Sequence, residues 1–218
     1  ILAWTTTPWT LPGNVALAVG NDIEYALIAN EGEHHLVAKA RQVGEAEKLV
    51  MGNSLVGIEY EPLYEIKKVA SHAGKKWIVL PADFVTTDEV TGIVHTAVIY
   101  CEDDYQLGLQ EGLPMVPLLN PNATYNNDAP IFLQGEYIKK AEAKIKDDLQ
   151  SRGLLFDAKP YTHSYPHCYR CGTPLIYNAV SSWFIDIQSV KRRMLAENEN
   201  ITWMPKHLQH GRFQHIVE

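Results

Sequence analysis

In Trp4-Thr5-Thr6-Thr7-Pro8-Trp9-Thr10, three hydroxyl-bearing residues and a proline stand between two tryptophans. Threonine is β-branched and suits a strand. Pro8 lacks the N–H that a ladder needs, so the strand must stop or bulge there. Hydroxyls then face both sides of a strand end, where a polar ligand can be held. The same pattern also fits an edge strand whose threonines satisfy one another.

Outward from this stretch the chain alternates short apolar runs with turn residues. Residues 14–19 (NVALAV) read as a buried strand, and 24–29 and 35–38 as two strands joined by the turn Asn30-Glu31-Gly32-Glu33. Val43, Ala46, Leu49 and Val50 recur at helical spacing, so 40–51 reads as a helix stopped by Gly52. Residues 55–58, 64–70, 77–81 and 92–97 are further strand candidates. Residues 103–111 form a short helix ending at Gly112, and 120–128 are loop by composition. The clearest helix is 137–152, with Ile138, Ala141, Ile145 and Leu149 on one face and Gly153 as C-cap. Many short strands with a few helices predict an α+β fold built round a strongly curved sheet or a β-barrel core, with peripheral helices. Composition shifts after Asp157, so 1–158 is expected to be the core. Residues 159–218, with a helix near 187–197, read as a connecting segment.

The chain has 218 residues, 46% of them hydrophobic, enough for a real core. No apolar run approaches bilayer length, and Ile1-Leu2-Ala3-Trp4 lacks the basic start of a signal peptide. Beginning without Met inside an apolar segment, the chain reads as a piece of a longer polypeptide. A net charge of −7 argues against extensive phosphate contact, though not against a site that holds only the end of a strand. Three cysteines without a secretory signal argue for a reducing compartment.

Two more groups of residues carry chemistry. The run 92–94 reads as a strand that delivers His95-Thr96-Ala97, followed by Glu102-Asp103-Asp104. Three adjacent acids repel one another unless a cation or a helix N-terminus offsets their charge. Glu102 and Asp103 are also accounted for as the first turn of the 103–111 helix, and a lone His95 as a packed imidazole. Cys168 and Cys171 form a CxxC pair, the spacing of two ligands to a tetrahedral zinc. His163 and His167 precede it at a spacing unlike a standard knuckle. The βαβ context of a redox CxxC is missing. The pair therefore reads as half of a structural zinc site whose other half lies elsewhere.

Three separated segments resemble one family. WTTTPWTLPGN at 4–14 resembles the threonine-rich motif of isoleucyl-tRNA synthetase editing domains. GIVHTA with EDDYQLG, within 92–108, resembles the family's second editing motif. HSYPHCYRCGTPLIY and SSWFI, within 163–185, resemble the segment that leads back to the aminoacylation core. GRF at 211–213 resembles the sequence just before that core's signature. Valyl and leucyl enzymes carry a TTRP-type motif, with Arg where Thr7 stands here.

The resemblance implies hydrolysis of mischarged Val-tRNA(Ile), and of valyl-adenylate, by water and without a covalent intermediate. It implies Asp104 as the anchor of the substrate α-ammonium and His95 as a pocket-lining residue that excludes the larger side chain. Thr6 and Thr7 would lie near the terminal adenosine and the ester. Trp4, Thr5, Thr10, Asn14 and Thr96 would complete the substrate-binding surface. No cofactor is implied for editing, and ATP binding and a structural zinc would belong to the parent enzyme. The implied partners are the 3′ end of tRNA(Ile) carrying valine, valine or valyl-adenosine-like ligands, and the rest of the synthetase. A cytoplasmic monomer without membrane contact is expected. A valyl-type editing domain and a non-catalytic tRNA-docking module are the alternatives. One departure stands out: relatives read HTAP and a glycine-rich turn, whereas Val98-Ile99-Tyr100-Cys101-Glu102 is bulkier and lacks glycine's freedom.

Overall fold

In the computed structural model, which describes residues 1–30, 32–87, 91–162 and 164–218, six strands are formed: β1 (Ala16–Val19), β2 (Glu24–Asn30), β3 (Glu33–Ala38), β4 (Lys48–Met51), β5 (Ile78–Pro81) and β6 (Ile93–Thr96). The helices are α1 (Lys67–Ala70), α2 (Glu102–Glu111), α3 (Ile138–Ser151), α4 (Ile187–Asn198) and α5 (His215–Val217). Glu31 of the expected 30–33 turn and His163 of the expected zinc neighbourhood lie outside the described residues.

The apolar run at 14–19 becomes β1, buried along its whole length. A strand apolar on both faces must be covered on both. It lies between β5, which runs parallel, and β6, which runs antiparallel with His95 opposite Leu17. A second sheet has the antiparallel order β3-β2-β4. Hydrogen bonds between lone residues link the two sheets. Leu2 N–H donates to Leu36 O, Trp4 N–H to Ile93 O and Ala38 N–H to Thr91 O, and Trp4 bridges Val94. The mixed α+β class is as expected. The expected barrel closure is not found among the described residues, where the ladders stop at two three-stranded sheets. After Pro8 the chain turns into a 3-10 helix, Pro8–Gly13.

The expected helix over 40–51 is absent. Gly44 sits at φ +95°, which breaks helical geometry, and Val43 is 88% exposed. Lys48–Met51 instead pairs with Leu27–Glu24 on the free edge of β2. Gly52 is therefore no helix stop. A Cβ there would lie 2.0 Å from the Gly20 carbonyl oxygen, so only glycine permits this approach. The expected strand at 64–70 is the single turn α1, and 55–58 contributes backbone hydrogen bonds to Val79 but no strand.

The main core lies under α3, whose Ile138, Ala141, Ile145 and Leu149 are buried as the spacing predicted. Each buried isoleucine or leucine contributes about 1.5–3 kcal/mol. They meet Trp9, Tyr100, Leu118, Tyr125 and Leu133. The bulky turn at 98–100 is absorbed into this core. Val98, Ile99 and Tyr100 are buried, and Tyr100 Oη accepts from Leu118 N–H at 3.0 Å. Room comes from Gly13 and Gly108, where a Cβ would meet Tyr100 at 3.3 Å and Val98 at 2.3 Å.

The backbone groups into two units, Ile1–Ala179 and Val180–Glu218. This contact boundary falls later than the compositional one at 158–159. Trp4 packs edge-on against Tyr161 at 5.9 Å, and Ala179 N–H donates to Ile99 O at 3.1 Å, so 159–179 runs back along the first unit. In the second unit Asp186 caps α4 by accepting from Ser189 N–H at 3.2 Å. The buried Asn198 ties the end of α4 to the loop after it, accepting from Trp203 Nε1–H at 2.8 Å. Among the described residues no helix is long and apolar enough to cross a membrane.

Candidate active site

The threonine-rich segment folds into a tight turn. Thr7 N–H donates to Thr5 Oγ1 at 3.1 Å, and Thr10 N–H to Thr7 O at 2.9 Å. β6 delivers His95 beside this turn, with Thr10 Oγ1 2.8 Å from His95 Nε2. Asp104, in the first turn of α2, accepts from Ala97 N–H through Oδ2 at 2.8 Å. A carboxylate in that position is favoured by the helix dipole. Backbone and turn thus bring together three stretches separated by up to a hundred residues.

Between them is a cavity of about 540 Å³. Of the residues that the family resemblance implies for the site, Trp4, Thr5, Thr6, Thr7, Thr10, His95 and Asp104 line it. Thr6 is exposed there, and none of the described residues hydrogen-bonds its hydroxyl. Trp4 Nε1 is buried without a partner among the described residues. Asn14 and Thr96 do not reach the cavity. Asn14 stands behind His95, with its amide committed to backbone and side chains. Thr96 is fully buried, and its hydroxyl has no partner among the described residues. Sequence reasoning missed Thr86, Val94, Ala97, Tyr100, Cys101 and Tyr161 in the wall. Tyr100 and Cys101 belong to the unusual turn already singled out. Tyr161 lies in the stretch assigned to the connecting segment.

The electrostatics are one-sided. Among the described residues the wall contains one buried carboxylate, Asp104, and no Lys or Arg. Burial raises the Asp104 carboxyl from 3.8 to about 6, against the Ala97 N–H, which lowers it; the neighbouring Asp103 charge raises it further. Burial lowers His95 to about 4, so the imidazole is neutral at pH 7. Burial also raises the Cys101 thiol, which argues against a nucleophilic thiolate. The arrangement can receive a cationic group on Asp104, a small apolar group against His95 and polar atoms on the threonines. The hydroxyls and buried N–H groups can stabilise a developing oxyanion.

Cys168 and Cys171 occupy a turn closed by Cys168 N–H donating to Thr173 O and Gly172 N–H donating to Cys168 O, both at 2.8 Å. The Thr173 hydroxyl, 3.2 Å from the Cys171 sulfur, is the first cause of a lowered Cys171 thiol. Among the described residues no third His, Cys, Asp or Glu joins them in a group able to hold a metal.

Residues 16–218 match the family model described as tRNA synthetases class I (I, L, M and V). The isoleucine–tRNA ligase of Clostridium acetobutylicum is 42% identical over 223 aligned residues, covering 100% of this chain and 21% of that protein. That of Bacillus thuringiensis is 41% identical over the same length, again 100% of this chain and 21% of the relative. The chain therefore spans about a fifth of the length of these curated relatives. Among solved structures, the crystal structure of GlLeuRS-CP1 superposes with a TM-score of 0.54 at 16% identity, over 72% of this chain and 83% of that one. At that identity the likeness is one of fold.

Proposed function

The chain belongs to the class I tRNA synthetases of the isoleucine, leucine, methionine and valine group, and on that premise we propose that it is the editing domain of an isoleucyl enzyme, hydrolysing valine wrongly esterified to tRNA(Ile). The observation that carries this reading is the buried Asp104 carboxylate in a cavity whose wall, among the described residues, holds no Lys or Arg. An aminoacyl ester brings its own cation, the free α-ammonium, and an ion pair in a partly dry pocket is a strong anchor.

On this reading the valyl side chain packs against the neutral His95 imidazole, and the extra methylene of isoleucine meets it and is turned away. Such a second sieve is needed because one methylene in a binding pocket is worth only ~1–3 kcal/mol, a figure for which isoleucyl-tRNA synthetase is itself the standard example. Thr6 and Thr7 place the ester and the terminal adenosine, with Thr5, Thr10 and Trp4 around them. A positioned water attacks the ester carbonyl, the carbonyl oxygen takes the charge, and the ribose oxygen leaves with a proton. Valyl-adenylate would present the same ammonium and side chain.

The partners on this reading are the 3′ end of tRNA(Ile) and the remainder of a parent synthetase, with the chain acting as a monomer. A net charge of −7 suits contact with a strand end rather than a long duplex. Trp4 and Tyr161 offer aromatic surface for the terminal base. A structural zinc would take Cys168 and Cys171 from this chain and two ligands from elsewhere in the parent enzyme.

The test is made on the substrate as well as on the protein. Val-tRNA(Ile) should be deacylated, and N-acetyl-Val-tRNA(Ile), which has no ammonium, should be spared. Asp104→Ala should lose the difference by losing the faster reaction. Equal hydrolysis of both esters by the unaltered chain would remove Asp104 from its role.

A further inference from the structure

The hydrogen bonds behind His95 point in one direction. Asn14 Nδ2 lies 2.9 Å from Ala16 O, 3.5 Å from Thr96 O and 3.2 Å from His95 Nδ1. Two of these neighbours are carbonyl oxygens, which only accept, so the atom facing them is the amide N–H₂. The opposite atom, Oδ1, accepts from the Tyr60 hydroxyl at 2.6 Å. With the amide oriented, an N–H of Asn14 is aimed at His95 Nδ1, which must then carry a lone pair. In a neutral imidazole the proton is left on Nε2.

The far side of the ring accommodates the same assignment. With the Thr10 hydroxyl proton on Thr7 O, at 2.8 Å, Thr10 Oγ1 accepts from His95 Nε2 at 2.8 Å. The Asn14 amide sets the tautomer, and Thr10 satisfies the Nε2–H that results. Tyr60 itself is not in the cavity wall. It is held from behind, with its N–H donating to Trp77 O at 2.9 Å and its ring against the cluster that contains Leu17, the strand partner of His95.

We propose that Tyr60 is a positioning residue which, by holding the Asn14 amide in one orientation, fixes His95 as its Nε2–H tautomer and fixes the face of the ring that the substrate side chain meets. Asn14 then belongs to this support and does not bind substrate. The proposal rests on the editing reading only for what His95 faces; the hydrogen-bonded chain is a property of the empty protein.

Histidine-labelled chain, observed by ¹⁵N NMR between pH 6 and 8, gives the test without any tRNA. Unaltered protein should show His95 wholly as the Nε2–H form, and an Nδ1–H form would overturn the proposal with no variant needed. In Tyr60→Phe, which keeps the ring and loses the donor, Asn14 Oδ1 is left bare and the Nδ1–H form should become visible. Asn14→Asp puts only acceptors against Nδ1 and should make the Nδ1–H form dominant. On Val-tRNA(Ile), Tyr60→Phe should lower kcat about tenfold with KM little changed, because ring placement and not binding is lost. A folded Tyr60→Phe whose His95 stays wholly Nε2–H would overturn the role of Tyr60, and an unchanged tautomer in Asn14→Asp would overturn the whole chain. If the tautomer behaves as stated while Val-tRNA(Ile) survives intact, the functional reading fails and the positioning stands.

Discussion

Replacing Asp104 by asparagine should stabilise the empty domain at neutral pH, and by an amount that grows with pH. Asp104 is 7% exposed, and its carboxyl is raised from 3.8 to about 6, chiefly by burial. At about 1.4 kcal/mol per pH unit, that displacement corresponds to roughly 3 kcal/mol. The sign follows from the direction. A raised carboxyl binds its proton more tightly in the folded state. Its contribution is fully present below pH 3.8 and is lost as pH rises through about 6. His95 works the other way, being lowered from 6.5 to about 4 by burial. Its contribution, also about 3 kcal/mol, is present above pH 6.5 and lost as pH falls toward 4. Between pH 4 and 6.5 the two oppose each other, so together they leave the unaltered chain nearly flat. Asn keeps an acceptor for Ala97 N–H and has no charge to desolvate. Urea denaturation of both proteins at pH 4.5, 5.5, 6.5 and 7.5 measures the difference. The variant should be near the parent at the lowest pH and gain roughly 2–3 kcal/mol above pH 6.5. A gap that is independent of pH, or that closes as pH rises, would refute the reasoning. The stabilised variant should also have lost hydrolysis, as expected where a strained group is kept for function.

Three further outcomes are expected. Gly52→Ala should cost about 2–3 kcal/mol, because backbone stands on backbone at Gly20, whereas Gly44→Ala should cost about 1 kcal/mol for its positive φ alone; thermal denaturation of both ranks them. Gly108→Ala should destabilise by about 1–3 kcal/mol despite the roughly 1 kcal/mol that alanine adds to a helix, since its Cβ would press on Val98 at 2.3 Å. Metal analysis of the purified chain should find well under one zinc per chain, because the described residues supply two thiols and no third ligand; a full equivalent would show a complete site.

The parts of the fold that were legible are those whose information is local. β1 shows itself as an apolar run, α3 as a 3.6-residue stripe with four buried positions, and α2 as an acidic first turn closed by Gly112 in the left-handed region. What misled was a segment whose conformation is set from a distance. Residues 48–51 have helical spacing with 43 and 46, yet the open edge of β2 takes them as a strand. Gly52 could be recognised as special, but a steric reason that lies thirty-two residues earlier in the chain, at Gly20, leaves no local pattern.

The site divides in the same way. Thr5, Thr6, Thr7, Thr10, His95 and Asp104 announced themselves by chemistry and by family pattern, and all reach one cavity. Asn14 shares the first motif but faces the back of His95, a distinction that depends on which way the 3-10 helix turns after Pro8. Tyr60, Thr86 and Tyr161 sit in stretches with no chemical signature, and only the packing places them.

The central claim is a second sieve, and it is tested most directly by timing deacylation of Val-tRNA(Ile) and Ile-tRNA(Ile), side by side, by this chain and by a full-length parent enzyme. The account predicts that the valyl ester is hydrolysed and the isoleucyl ester persists at the rate seen without protein. If the valyl ester persists with both proteins, or if the two esters are hydrolysed alike, the account is contradicted.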